Sequence, residues 1–175
     1  MKMKRILNVG CGEETYGTDR LDVIPRPNVT KVWNANNKLP YPKGAFDIVY
    51  ARCLFEHLEN PNAFLMECRR VLKKGGIIRI ITDNAPYIMF HYNIVGIKHG
   101  DYCYDGKFRK EDMHFALYTP EHLRNHFNRA GLVPIKYYHD YYSESSMKVK
   151  IIQRILSFFF GKFGYSNVVA VGIKQ

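Results

Sequence analysis

Short apolar runs bounded by glycine, proline or polar residues recur along the chain. Runs of this length are typical of buried strands, and the continuous apolar character of 77–82 suits the centre of a parallel sheet. The pattern predicts seven strands, at 6–9, 21–24, 29–33, 46–51, 77–82, 133–138 and 168–173.

Two segments between these runs have helical spacing instead. The first has a capping residue at Asn60, a proline at 61 and apolar residues at 63, 64, 68, 71 and 72, and it is predicted to end at Gly75-Gly76. The second starts at Thr119-Pro120 and ends at Gly131. Strands that alternate with helices predict an α/β fold.

The connections between the first three predicted strands are short. Only nine residues (13–21) separate Gly12 from Asp22, whereas a parallel crossover with a helix needs roughly 10–12 residues or more. We therefore expect reduced helices there and apolar strand faces that need another cover. Residues 147–163 are apolar and basic, and we expect them to pack onto this region or to join a second copy in a homodimer. The rival hypothesis is peripheral contact with an anionic membrane.

Length and composition limit the class of protein. The 175 residues favour one domain, 1–175, with 1–84 as a cofactor-binding half, 85–118 as an acceptor loop or lid and 119–175 as a substrate-side half. An aromatic content of 14% excludes disorder over most of the chain. No apolar run approaches the roughly 20 residues of a spanning helix, and the stretch that ends at Gly10 is too short for a signal peptide. The expected location is cytoplasmic.

Neither cysteine nor histidine spacing predicts a metal site. The cysteines at 11, 53, 68 and 103 form no C-x-x-C pair, so they fit neither a zinc site nor a disulfide framework. His122 and His126 are one helical turn apart, but they lack the glutamate of a zinc protease and are interpreted as surface residues.

The net charge of +10 is unevenly distributed. Residues 85–146 are neutral overall, whereas 1–84 and 147–175 each carry +5. A basic balance raises the odds of nucleic acid, an acidic surface or an anionic cofactor, without choosing among them.

Gly10-Cys11-Gly12 follows the first predicted strand and is the first chemical signal. Glycines there let a ligand approach the backbone, but Thr15 stands where a dinucleotide fingerprint needs a third glycine, which counts against NAD. The second signal is Asp22, whose carboxylate can accept the hydroxyls of a ribose at the end of the second strand. Asp19 is the competing candidate for that role.

The ordered set of motifs resembles the class I S-adenosylmethionine-dependent methyltransferases, and within them the small type 11 group. The resemblance is strong over residues 5–84 and weaker over 114–139. The matching segments are Leu7-Asn8-Val9-Gly10-Cys11-Gly12, Asp22, Leu39-Pro40-Tyr41-Pro42, Phe46-Asp47-Ile48-Val49, Glu56-His57-Leu58 and Arg70-Val71-Leu72-Lys73-Lys74-Gly75-Gly76.

The resemblance implies a Rossmann-like sheet of seven strands with the last antiparallel, and S-adenosyl-L-methionine at the carboxyl ends of strands one, two and four. The family often has acids where Asn8 and Asn34 stand, so weaker cofactor binding is expected. The implied contacts are Asn8, Gly10, Cys11 and Gly12 at the methionine part, Asp22 at the ribose, Asn34 and Ala35 at the adenine, and Arg52 and Cys53 near the sulfonium.

Methyl transfer is an in-line displacement, so catalysis is mostly alignment of the acceptor with the methyl group. A base is needed only when the acceptor must lose a proton. The candidate catalytic residues are His57, His114 and Tyr118, with Asp83 at the same edge. For His57 and Tyr118 the alternatives are bracing and packing at helix starts, and for Asp83 capping of the segment that follows.

The predicted function is methyl transfer to a small-molecule or glycan-type acceptor, because residues 85–113, which we expect to face the acceptor, are nearly neutral. The net charge keeps an RNA or protein methyltransferase as an alternative, although nucleic acid is not favoured. The Asn8 and Asn34 departures motivate a third alternative, a cofactor-binding or scaffold protein without catalysis.

Overall fold

A single seven-stranded sheet organises the chain in the computed structural model, which describes residues 3–88, 113–141 and 147–175. The strand order is β3-β2-β1-β4-β5-β7-β6, in which β1 to β5 pair in parallel and β7 is antiparallel to both neighbours. The predicted fold class is therefore confirmed. The strands are β1 Ile6–Val9, β2 Asp19–Asp22, β3 Lys31–Val32, β4 Phe46–Arg52, β5 Leu72–Asp83, β6 Val133–Asp140 and β7 Asn167–Ile173.

Two helices, α1 (Pro61–Val71) and α2 (Pro120–Arg129), cover one face of this sheet. Asn60 caps α1 by accepting a hydrogen bond from the Ala63 amide at 3.0 Å, as its sequence predicts. Their apolar stripes join every second residue of the central strands in one core. The members of that core include Leu7, Val9, Val49, Ala51, Ile78, Ile80, Phe64, Leu65, Leu123 and Phe127.

The connections from β1 to β2 and from β2 to β3 contain no helix, as their lengths predict. β2 begins and ends two residues earlier than its apolar run suggested. It ends at residue 22 because the Asp22 carboxylate accepts a hydrogen bond from the Ile24 amide at 2.8 Å and turns the chain there. Gly75 and Gly76, predicted to end α1, lie within β5 instead.

The other face of the sheet carries aliphatic, aromatic and polar side chains, among them Ile48, Tyr50, Arg79 and Ile81. Tyr16 covers part of it by packing edge-on against Tyr50, with ring centroids 5.0 Å apart. Arg79 crosses the same face and donates to the Tyr138 hydroxyl at 2.9 Å.

A third helix, α3 (Met147–Phe160), is followed by a 3-10 turn at Gly161–Gly164. It lies beyond the carboxyl end of β5, where Gln153 donates to the Tyr87 hydroxyl at 3.1 Å. The expectation that residues 147–163 cover the first three strands is therefore wrong. Polar contacts attach this segment to residues that follow β5 and β6, which lie toward the other edge of the sheet from β3. None of the helices in the described ranges has the length and apolar content needed to cross a membrane.

Both edges of the sheet are interrupted. β3 has only two residues, and β6 contains Pro134 with an irregular register between Pro134 and Lys136. Val133 and Ile135 of β6 are exposed at this edge.

Candidate active site

The glycine turn after β1 is fastened to the end of β2. The amides of Gly10 and Cys11 both donate to the Leu21 carbonyl oxygen, at 2.8 and 2.9 Å. Gly10 and Gly12 have left-handed φ angles of 68° and 53°, which glycine tolerates best. A Cβ at Gly10 would lie 3.0 Å from Leu54, whereas one at Gly12 would meet only open space. The turn is therefore accessible to a ligand at Gly12.

Asp22 joins the glycine turn to the loop after β2. One carboxylate oxygen accepts the Gly12 amide at 2.7 Å, and the other lies 3.2 Å from the Arg26 guanidinium. The oxygen near Arg26 also accepts the Ile24 amide at 2.8 Å, so the remaining acceptor capacity for a hydroxyl group is on the oxygen that accepts the Gly12 amide. Asp19, the competing candidate, lies at the opposite end of β2 and pairs with Arg5 at 2.8 Å. Of the two acids, Asp22 is the one at the carboxyl edge of the sheet.

Asn8 is buried, and its amide meets a carboxylate that the sequence did not point to. Its Nδ2 donates to Glu14 Oε2 at 3.0 Å, while Glu14 Oε1 accepts from Arg52 at 2.8 Å. The Glu14 carboxylate therefore lies beside position 8, where the family often has an acidic residue. Because Glu14 lies in a turn of no regular pattern, nothing in the sequence marked it.

The loop after β3 is attached to the same edge. The Trp33 amide donates to the Asp22 carbonyl oxygen at 2.8 Å, so Asn34 and Ala35, the predicted adenine contacts, follow directly beside Asp22. The Asn34 side chain accepts the Asn36 amide at 2.9 Å and shapes this loop.

Cys53 directs the chain away from the end of β4. It is the one non-glycine residue of the described ranges with a left-handed φ, 47°, and its amide donates to Ile81 of β5 at 2.9 Å. Backbone strain of this kind concentrates at functional sites. After Cys53 the chain enters the 3-10 helix Phe55–His57, which places Glu56 and His57 beside the end of β5.

The structure brings two predicted catalytic residues, His57 and His114, into contact across 57 positions of sequence. Their rings meet edge to face with centroids 4.4 Å apart. His114 Nδ1 lies 3.1 Å from the Asp83 carboxylate, close enough for an ion pair when the ring is protonated. His57 Nδ1 lies 3.1 Å from the Met113 carbonyl oxygen and, as the donor there, leaves Nε2 as the acceptor.

Glu56 is the buried member of this cluster. Its carboxyl accepts the Thr82 hydroxyl at 2.7 Å, and burial, followed by the nearby Asp83 charge, raises the pKa of Glu56 to about 8. Burial, followed by the nearness of His114, lowers the pKa of His57 to about 4. At neutral pH Glu56 therefore keeps its proton and His57 is uncharged.

Three side chains of the cluster are of the kinds that bind metal ions. One ligand atom from each of Glu56, His57 and His114 lies within 4.8 Å of the other two. In a tetrahedral site with bonds of about 2.0 Å the ligand atoms are roughly 3.3 Å apart, so these three would have to approach one another by up to about 1.5 Å to bind one divalent cation.

Tyr118 lies in the core rather than at the surface of the site. Its ring packs against Phe55 with centroids 4.8 Å apart, and burial raises the pKa of its hydroxyl to about 12, which disfavours a role as a base. Its amide donates to the Asp83 carbonyl oxygen at 3.3 Å, so it holds the end of β5 in place. Most of the predicted acceptor loop, at 89–112, lies outside the described residues.

Sequence comparison shows that part of this chain is similar to known methyltransferases. Residues 20–80 match the family described as methyltransferase domain. The ubiquinone biosynthesis O-methyltransferase of Rhodopseudomonas palustris strain TIE-1 is 33% identical over 92 residues, which are 53% of this chain and 35% of the relative. The homologous protein of strain HaA2 is 30% identical over 150 residues, covering 74% of this chain and 58% of the relative.

Solved structures share the fold over nearly all of the chain. An S-adenosylmethionine-dependent methyltransferase from Thermotoga maritima has a TM-score of 0.66 at 16% identity, covering 100% of this chain and 84% of the other. One from Archaeoglobus fulgidus has the same TM-score, 0.66, at 19% identity, covering 98% and 86%. The chain spans only about a third to three fifths of the length of the curated relatives named above.

Proposed function

Because the chain has the fold of the class I S-adenosylmethionine-dependent methyltransferases and matches their methyltransferase domain over residues 20–80, we propose that it transfers a methyl group from S-adenosyl-L-methionine to a small-molecule or glycan-type acceptor. The observation that carries this proposal is the arrangement of one sheet edge. The glycine turn and Asp22 lie at the ends of β1 and β2, and the Asp83–His114–His57 cluster lies at the ends of β4 and β5.

The cofactor would lie across the first of these two groups. Asp22 would bind the ribose hydroxyls, the accessible side of Gly12 would border the methionine part, and Asn34 and Ala35 would meet the adenine. When bound, the cofactor supplies the activated methyl group. The protein's task is then to hold the acceptor atom in line with that methyl and to keep water away.

The second group suits an acceptor that must lose a proton. His114, which lies beside Asp83, would take the proton of a hydroxyl through Nε2, while His57 packs against its ring. This arrangement favours a hydroxyl acceptor, in keeping with the name of the relatives that act as O-methyltransferases. The neutral charge of residues 85–146 supports an uncharged small-molecule or glycan-type acceptor over RNA.

The experiment has two parts. Calorimetry with S-adenosylhomocysteine measures cofactor binding, and release of that product from S-adenosylmethionine measures transfer to a panel of hydroxylated small molecules and sugars. His114→Gln should lower kcat by about 10²–10⁴, with an unchanged Kd for S-adenosylhomocysteine. His122→Gln, a matched histidine change on α2, should leave both values unaltered.

Four outcomes would contradict the proposal. Binding of neither cofactor form would favour a scaffold protein, and steeply salt-dependent binding and methylation of RNA would favour the nucleic-acid alternative. A His114→Gln variant with wild-type kcat over the whole pH range would remove the base from the mechanism. Loss of activity in EDTA, restored by a divalent cation, would assign Glu56, His57 and His114 to a metal instead.

A further inference from the structure

The outward face of α3 is apolar, the reverse of an ordinary surface helix. Met147, Ile151, Ile155 and Phe158 follow one another at helical spacing, and all four are exposed. Phe159 stands beside them, and its ring meets that of Phe158 edge-on with centroids 5.2 Å apart. Phe158 is 83% exposed and Phe159 is 71% exposed. A contiguous apolar surface of this kind marks an interaction site.

Polar contacts hold the helix in this orientation. The inward-facing Gln153 is buried and donates to the Tyr87 hydroxyl, and Ser157 lies 2.6 Å from the Tyr141 hydroxyl. The following 3-10 turn is fixed by Asn84, whose Nδ2 donates to the Lys162 carbonyl oxygen at 2.9 Å. A Cβ at Gly164 would collide with the backbone of Ser157, so the turn packs tightly under the helix. The apolar face therefore cannot turn inward without losing these contacts.

The charges that α3 and the 3-10 turn after it carry are all positive. Lys148, Arg154 and Lys162 are exposed on the helix and its turn, Lys150 is half-buried, and residues 147–175 contain no aspartate or glutamate. Basic side chains around exposed aromatic and aliphatic ones complement an anionic bilayer, in which phosphates lie above the apolar region. Two copies of this face would bring like charges together, which makes a second copy the poorer occupant.

We propose that α3 is a docking surface for membranes rich in anionic phospholipids. The helix lies in the plane of the interface, with Phe158, Phe159 and Phe163 in the boundary between headgroups and acyl chains. Lys148, Arg154 and Lys162 contact lipid phosphates. Asn84, the residue after Asp83, attaches the turn after α3 to the end of β5. Docking of α3 therefore places the part of the candidate site at the end of β5 close to the membrane. The docking itself does not depend on the proposed enzymatic activity.

The test is flotation of the full chain with vesicles of neutral phosphatidylcholine, with and without a third of phosphatidylglycerol. The wild-type protein should float with the anionic vesicles only. Phe158→Ser with Phe159→Ser should reduce the bound fraction at least tenfold. Met66→Ser with Ile135→Ser changes two exposed apolar residues elsewhere and should leave binding unaltered. Lys148→Gln with Lys162→Gln should weaken binding about fivefold for each charge, and added salt should do the same.

Melting temperatures and sedimentation without lipid complete the design. All variants should melt near the wild-type temperature, because the changed side chains are exposed. Failure of the wild-type protein to bind anionic vesicles would overturn the proposal, as would undiminished binding by the double phenylalanine variant. A wild-type dimer that the phenylalanine changes convert to a monomer, with no vesicle binding, would assign the face to a second copy.

Discussion

We expect the protein to lose stability as the pH rises from 6.5 to 8, and we expect Glu56→Gln to abolish this loss. The pKa of Glu56 is raised to about 8 from 4.5 by burial and then by the Asp83 charge, so the folded state holds this proton more tightly than the unfolded state. Its contribution to stability is complete below pH 4.5 and is lost as the pH rises toward 8.

His57 sets the lower limit of the pH range in which the effect of Glu56 on stability can be measured. Burial lowers its pKa to about 4 from 6.5, so its effect has the opposite sign, and stability falls as the pH drops from 6.5 toward 4. The two effects nearly cancel between pH 4.5 and 6.5, and above 6.5 only that of Glu56 remains of the pair. Over about 1.5 pH units, at about 1.4 kcal/mol per unit, the loss should be about 2 kcal/mol.

Urea unfolding at pH 6.5, 7.2 and 8 in EDTA, which keeps the cluster free of cations, measures this change. The wild-type free energy of unfolding should fall by about 2 kcal/mol, equivalent to a decrease in Tm of about 4–8 °C. Glutamine retains the shape of the side chain and an oxygen for the Thr82 hydroxyl but cannot ionise, so its profile should be flat. Glu59→Gln, at an exposed position, should follow the wild type. Parallel losses in the wild type and Glu56→Gln would refute the assignment.

Two further predictions concern the cofactor edge. Asp22→Ala should weaken S-adenosylhomocysteine binding at least tenfold, since a hydrogen bond to a charged group is worth about 1.5–3 kcal/mol. Asp19→Ala, at the other end of β2, should change calorimetric binding little, and the reverse order would show that the wrong acid was chosen. Gly10→Val should abolish cofactor binding and lower Tm, because φ is 68° and the new side chain would press on Leu54. A variant with wild-type binding and Tm would contradict that account.

Local signals were sufficient for most of the fold. The Asn60-Pro61 and Thr119-Pro120 pairs mark the starts of α1 and α2, because capping depends on neighbouring residues alone. The short connections also predicted the lack of helices between the first three strands. β2 was misplaced because Asp19–Asp22 contains a single apolar residue, and its pairing with β1, with Leu7 opposite Asp19, defines the strand instead.

The sequence predicted individual residues of the site, but it did not predict which of them contact each other. His57 and His114 were both candidates, yet nothing local predicts that their rings touch. Glu14 meets Arg52 across 38 positions, and this ion pair supplies a carboxylate beside Asn8 that no motif contains. Such contacts depend on how the strands are ordered in the sheet, which spacing along the chain does not encode.

The interrupted edges of the sheet bear on how the protein behaves at high concentration. An exposed edge strand offers backbone amides and carbonyls to another chain. The exposed apolar side chains of Val133 and Ile135 add to the tendency of β6 to associate. Pro134 has no amide hydrogen to donate, the register is irregular between Pro134 and Lys136, and Lys136 places a charge on the strand. At the opposite edge β3 is too short to template a partner. Fibril growth from either edge should therefore be slow, and replacement of Pro134 by valine should speed it.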